Sequence, residues 1–589
     1  MDQRSLNRAM SFGISDVALE CVMGYIDDPR DREAVSLVCR KWYHIDAVTR
    51  KHITIAICYS TSPDRLRRRF PRLESLKLKA KPRAAMFNLI PEDWGGYATS
   101  WIAEIAESFN CLKALHLRRM IVTDADLAIL VRARGHMLLS LKLDNCSGFS
   151  TDGLALVARS CRCLRTLFLE ESSIIEKDGE WLRELALNNS VLENLNFYMT
   201  ELKILSQDLE LLARNCPLLI SLKICECDIS SLVDFFRAAT VLEEFGGGSF
   251  NEQEGETNMY ENFYFPRKLC CVGLFYMGTN DMHILYPYAA ILKKLDLKYT
   301  FLCTEDHRQL IQQCPNLEIL EVRDVIGDRG LEVVARTCKK LRRLRIDQGD
   351  DEDEQGGVSQ VGLATIAQGC PELEYLVVHV SDITNAALEA IGTFSKNLFD
   401  FRLVLLDKQE RVTELPLDDG VRALLRGCSK LRRFALYLRP GGLSDVGLGY
   451  IGEYSSNIRY MLLGYVGDSD VGLLQFSRGC QNLQKLEMRG CFFTERALAL
   501  AVMQLSSLRY LWVQGYKASS TGSDLMAMVR PFWNIEFIPP RRDADAAAAA
   551  DDDDDRQAGA DSQAQILAYY SLAGRRTDCP ASVIPLYPA

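Results

Sequence analysis

Short apolar segments along this chain carry bases at alternate positions. Lys77, Lys79, His116, Arg118, Lys142, Lys223, Lys294, Lys298, Arg323, Arg343, Arg345, Arg402, Arg433, Lys485 and Arg489 each occupy the third, fifth or seventh place of such a segment. Acidic residues share these places (Asp144, Glu170, Asp296, Glu321, Asp347, Asp400, Glu487), but the bases outnumber them, in a chain of formal net charge −10. Bases gathered on one surface repel one another, and a bound polyanion would relieve that repulsion. Arginine's planar fork matches phosphate or carboxylate oxygens. Nucleic acid is one candidate, disfavoured by the acidic total, and a compact polyphosphate suits an enclosed ring of bases better. The bland alternative is a solvated basic surface.

Other chemistry is poorly provided for. The 20 cysteines contain no CxxC pair. Cys161, Cys216, Cys314, Cys338, Cys370, Cys428 and Cys480 each fall three residues before a leucine of the same pattern. A cysteine recurring at one phase behaves as a small buried hydrophobe. Reduced thiols are therefore expected, rather than disulfides or zinc. No Gly-rich phosphate loop or Ser/His/Asp constellation has supporting context, so no enzyme is expected. No apolar run approaches the roughly 20 residues that cross a bilayer, and the polar first ten residues lack a signal-peptide core.

The elements that must position the bases follow an L-x-x-L-x-L pattern. Examples are Leu73-Leu76-Leu78, Leu164-Leu167-Leu169, Leu341-Leu344-Ile346, Leu373-Leu376-Val378 and Leu508-Leu511-Val513. Most copies recur within the roughly 20–29-residue period of leucine-rich repeats. Between them, 153–159 (GLALVAR), 330–336 (GLEVVAR) and 362–367 (GLATIA) place apolar residues at helical steps. A strand and a helix repeated about eighteen times predict an α/β solenoid, a horseshoe with parallel strands inside. The pattern's leucines point to the core, and the intervening positions point to the inner side. Insertions at 79–111, 348–372, 403–430 and 245–268 exceed the period; those at 79–111 and 403–430 are expected to serve binding. The acidic 350–354 segment reads as a solvated loop.

Ahead of the repeats, residues 14–45 (ISDVALECVMGYIDDPRDREAVSLVCRKWYHI) give two apolar helical stripes separated by Asp28-Pro29. The pattern resembles an F-box, with Ile14-Ser15 in place of that motif's leading Leu-Pro; the other reading is an N-terminal cap for the solenoid. An F-box implies a Skp-type adaptor and a cullin ubiquitin ligase. The expected layout is a disordered 1–13, a three-helix F-box at 14–56 and a solenoid at 57–540. An acidic low-complexity linker at 541–561 and a C-terminal cap at 562–589 complete it.

The segments 81–91 (KPRAAMFNLIP) and 92–96 (EDWGG), with 399–407 (FDFRLVLLD), 461–464 (MLLG), 508–517 (LRYLWVQGYK) and 568–574 (AYYSLAG), resemble the coronatine-insensitive jasmonate receptors of plants. That resemblance implies a substrate-recognition subunit of an SCF-type ubiquitin ligase. Jasmonoyl-isoleucine would lie in a pocket, the degron of a jasmonate-ZIM-domain repressor would cover it, and an inositol polyphosphate would lie beneath. By the same resemblance, Arg83, Arg345 and Arg402 hold the hormone carboxylate, with Arg489 and Tyr437 near its ketone. Ala84, Phe87, Leu89, Leu462 and Trp512 form apolar walls. Lys77, Lys79, Met86, His116, Arg118, Arg119, Arg343, Lys485 and Arg509 belong to the inositol-phosphate floor or degron contacts, and Arg83 and Arg402 touch both ligands. Two positions depart from the family: His379 stands where tyrosine is usual, and Lys298 where leucine is common. Nuclear residence follows from the family, the basic 65–69 (RLRRR) being weak as a targeting signal. A hormone-independent F-box adaptor that grips its substrate directly is the alternative.

Overall fold

A computed structural model describes residues 16–26, 28–87, 89–251, 260, 263–349, 357–406, 414–518, 523–528, 530–540 and 563–586. The expected acidic linker, the N-terminal 1–13 and the 350–354 loop lie outside the described residues. The fold is an F-box followed by a leucine-rich-repeat α/β solenoid, and the chain divides into two compact units: 1–80 with 96–192, and 81–95 with 193–589.

In the first unit, helices Asp16–Gly24, Pro29–Ser36 and Arg40–Thr49 pack around Leu19, Met23 and Ile45. Asp46 is fully buried, and three guanidinium groups compensate it: Arg32 at 3.4 Å, Arg50 at 3.1 Å and Arg69 at 3.0 Å. Arg69 sits on the first repeat helix, Pro63–Arg69, and lies over the Tyr43 ring, so one buried carboxylate ties the F-box helices to the solenoid. Strands His52–Ile55, Ser75–Lys79, Ala114–Arg118, Ser140–Asp144 and Thr166–Phe168 then pair in parallel, one per repeat.

The second unit continues the same scheme, with parallel strands from Asn194–Asn196 to Tyr510–Gln514. In strands such as Ile319–Arg323, Arg343–Asp347 and Arg433–Tyr437 the pattern's apolar residues are buried while the alternate positions form an open face; in Glu244–Ser249 and Tyr510–Gln514 nearly every position is buried. Neighbouring repeats are also joined by carboxylates. Asp328, in helix Gly327–Thr337, accepts from the amide and hydroxyl of Ser359, the N-cap of helix Gln360–Gly369, at 2.9 and 2.6 Å. Asp470 does the same for Thr494, at 2.9 and 2.7 Å. The recurrent cysteines sit at helix C-termini in the packed layer, where burial pushes the Cys314 and Cys338 thiols up to about 12. All twenty cysteines are free thiols.

The parallel run ends differently. Strand Gln565–Tyr570 pairs antiparallel with Tyr510–Gln514 on one side and with Trp533–Ile538 on the other, and Ile584–Leu586 joins Trp533–Ile538. These strands cover the edge that a solenoid would otherwise leave open to further pairing.

Candidate functional site

The register of the second unit aligns the open-face residues in three rows. The third-place row runs Arg343, Tyr375, Asp400, Arg433, Tyr460, Lys485, Tyr510. The fifth-place row runs Arg345, Val377, Arg402, Ala435, Leu462, Glu487, Trp512. The seventh-place row runs His379, Val404, Tyr437, Gly464, Arg489, Gln514. Adjacent strands lie about 4.8 Å apart, so the Arg345 and Arg402 backbones, two strands removed, are about 10 Å apart.

Arg83 comes from the insertion, on the short turn Arg83–Phe87, and is half-buried. Burial lowers its pKa first; the charges of Arg402 and Arg345 lower it further, while Glu487 and Tyr375 act in the opposite sense. The three arginines expected to converge are therefore electrostatic neighbours. They differ in their partners. Arg345 donates from Nε to both Asp347 carboxylate oxygens at 2.9 Å, and Arg402 grips Asp400 bidentately at 3.0 and 2.9 Å. Arg83 has no hydrogen bond or ion pair among the described residues.

Aromatic rings separate the bases of the third-place row. Arg343 lies 4.7 Å from the Tyr375 ring, Arg433 5.0 Å from Tyr460 and Lys485 4.3 Å from Tyr510; Arg402 reaches Tyr375 at 5.7 Å. In the seventh-place row, Arg489 lies 5.8 Å from the Tyr437 ring, which packs edge-on to Tyr465. Burial raises the Tyr437 phenol's pKa, so it remains a neutral hydrogen-bonding group. Gly464, its row neighbour, is required here because a Cβ would run into the Tyr437 ring.

The expected apolar walls divide into two kinds. Phe87 is 53% exposed and Leu462 is half-buried on the open face; Met86, expected among the floor or degron contacts, is 39% exposed. Ala84, Leu89 and Trp512 are buried, Trp512 to 3% exposure, with its indole N–H donating to Gln565 Oε1 at 3.0 Å. Arg509 lies off the three rows: it precedes strand Tyr510–Gln514, lies over Tyr570 and donates to the carbonyls of Ser506 and Leu508.

In the first unit, Lys77, His116 and Lys142 align in one row, and Lys79, Arg118 and Asp144 in the next. Arg119 follows in the left-handed region. Asp144 takes His116 at 3.0 Å and Arg118 at 3.3 Å. Burial lowers the pKa of Lys77, with Arg118, Lys142 and Arg119 lowering it and Asp144 raising it. Bases crowded around one carboxylate are the chemistry a polyphosphate needs.

Sequence reasoning overlooked three things. Lys298 finds its anions within the chain, Glu321 at 2.7 Å and Asp296 at 3.5 Å, so those charges hold its pKa up although burial lowers it. Tyr375 stands at a third place, readable from the repeat, and its ring lies against Arg343 and Arg402 although an uncharged residue there carries no sign of that role in the sequence. Most inner-face bases are balanced locally, as Lys223 and Lys294 are by Glu244 and Lys485 by Glu487, which reduces the repulsion inferred from their number.

Comparison with known proteins agrees with the F-box. A family model for the F-box matches residues 11–52, and one described as the transport inhibitor response 1 protein domain matches 71–117. The chain is 67% identical over 599 residues to coronatine-insensitive protein homolog 1b of Oryza sativa subsp. japonica, covering 100% of this chain and 99% of that protein. It is 62% identical over 573 residues to coronatine-insensitive protein 1 of Arabidopsis thaliana, covering 96% of each.

Proposed function

The chain belongs to the coronatine-insensitive family, whose F-box gives it a substrate-recognition role beside a Skp-type adaptor, and from that premise we propose that it captures jasmonate-ZIM-domain repressors in response to jasmonoyl-isoleucine. In this reading the chain performs no catalysis. It holds the repressor while other subunits of the ligase transfer ubiquitin, and it acts in the nucleus.

One observation carries the proposal. Arg83 is an arginine partly withdrawn from water, flanked by Arg402 and Arg345, and without a carboxylate of its own. Such a group is costly unless an anion joins it. The hormone carboxylate supplies that charge, with Arg345 and Arg402 as further donors and Tyr437 and Arg489 polar partners for the ketone. Exposed Met86 and Phe87 offer apolar surface to hormone and degron. An inositol polyphosphate would be held by the ring-separated bases of the third-place row, Arg343 and Lys485 among them. The Lys77, Lys79, His116, Arg118 and Arg119 group carries the same chemistry.

The test is capture of a repressor degron peptide by the chain co-purified with its Skp-type adaptor. Jasmonoyl-isoleucine is expected to be required, and Arg83→Ala to raise the hormone concentration needed about 10- to 100-fold, as loss of one charge-assisted hydrogen bond of ~1.5–3 kcal/mol would. The melting temperature should not fall, because a half-buried cation without a carboxylate partner has been removed. Equal capture without hormone would replace this reading with that of a direct adaptor.

A further inference from the structure

We infer that Trp94, Glu536, Gln565 and Arg576 are positioning residues: the antiparallel C-terminal strands hold loop 81–95 in the shape that presents Arg83, Met86 and Phe87. The inference rests on the hormone-site reading above and extends it to residues that touch no ligand.

Glu536, on strand Trp533–Ile538, is 2% exposed, an expensive place for a carboxylate without compensation. Its Oε2 accepts from the Trp94 indole N–H at 2.8 Å, and its Oε1 accepts from the Tyr569 hydroxyl and from Arg576 Nε, both at 2.8 Å. Arg576 also donates to the Trp94 carbonyl and lies 4.5 Å from the centre of the Trp94 ring, which is fully buried. The far end of the loop is thus held through side chain and backbone together.

A second attachment stands nearer the proposed pocket. Gln565, on strand Gln565–Tyr570, accepts from the Trp512 indole and donates to the Leu89 carbonyl at 2.5 Å. One amide therefore links the loop to the last residue of the fifth-place row, the row that holds Arg345 and Arg402. Two lesser contacts assist: Ser582 Oγ donates to Asp93 at 3.0 Å, and Lys81 Nζ to the Glu92 carbonyl at 2.6 Å.

Between Lys81 and Leu89 stand the residues with surface to offer. A segment built from short turns has little local structure to resist its own conformational entropy. Apparent hormone affinity scales with the fraction of molecules whose loop is correctly placed. Loosening the clamp should weaken the hormone response without removing any group that contacts ligand.

The test uses the full chain with its Skp-type adaptor and the variants Trp94→Phe, Gln565→Leu and Arg576→Met. The first two retain most of the packing should Arg576→Met fail to fold. Amide hydrogen exchange across 81–95 is expected to quicken about tenfold, while strands Arg343–Asp347 and Tyr375–Val380 keep wild-type protection. The jasmonoyl-isoleucine concentration for half-maximal degron capture should rise by a similar factor, with full capture returning at saturating hormone. Unchanged exchange in the loop, or faster exchange shared equally by the repeat strands, would overturn the clamp. Faster loop exchange with an unaltered hormone response would overturn the proposal through its premise, by detaching the loop from the hormone site.

Discussion

His379 occupies a seventh-place position two strands before Tyr437, with Nδ1 3.0 Å from the Ile346 carbonyl and 3.8 Å from Asp347. A ring nitrogen at hydrogen-bond distance from a carbonyl oxygen acts as a donor, so that N–H is already engaged by the backbone. The tyrosine usual in the family would carry a hydroxyl farther out and add apolar area. His379→Tyr is therefore expected to lower the hormone concentration needed for degron capture, and a titration of degron binding against jasmonoyl-isoleucine measures it. An unaltered curve would remove this position from the explanation of ligand preference. Lys298 calls for no such substitution, because Glu321 and Asp296 already neutralise it. At this scale the sequence was legible in residue type and place, Arg345 and Arg402 sharing the fifth place of their repeats. It was silent on pairing. That Asp347 and Asp400 engage two of the three arginines, leaving Arg83, depends on rotamers that spacing does not specify.

Several helices of the solenoid begin where a carboxylate of the preceding repeat binds the cap residue, as at Ser150, Ser359, Ser444, Ser469 and Thr494. Asp328 binds the amide and hydroxyl of Ser359 and also the amide of Gly362 at 3.1 Å, satisfying N-terminal donors that a lone helix leaves open. Asp328→Ala should cost about 1–2 kcal/mol of stability, the range for losing a capping acceptor. Denaturant unfolding gives the magnitude, and hydrogen exchange should place the fraying at the start of helix Gln360–Gly369. A loss spread evenly over all helices would contradict this local account. Strands and helices were readable because Leu344 and Leu376 recur at fixed phases and are buried as that phase requires. The staples were not, since an Asp in a first turn also serves as an ordinary dipole partner.

Across the whole chain, acid should be the more damaging direction of pH change. Burial alone would raise the pKa of Glu244, but Lys223 and Lys294, with a hydrogen bond from Ser221, hold it below the usual carboxylate range. The pKa of Glu74 is likewise lowered, chiefly by Lys51 and Lys113. The unfolded chain then takes up these protons at higher pH than the native one. The stabilisation is complete above about pH 5 and is lost as pH falls through the native values. Melting temperatures between pH 7 and pH 4 should decline towards acid, and Glu244→Gln, weaker at neutral pH, should lose less on acidification. Parallel slopes for the two proteins would refute the assignment. The contacts hardest to read from sequence are also long-range: Trp94 meets Glu536 across 442 positions, and no periodicity links them. That separation has a consequence for biosynthesis. A ribosome will have released the F-box and nearly every repeat before Glu536, Gln565 and Arg576 emerge, so the nascent protein can engage its adaptor long before residues 81–95 acquire their anchors. On the hormone-site reading proposed above, a premature stop late in the message would yield a chain able to bind its adaptor yet deaf to the signal.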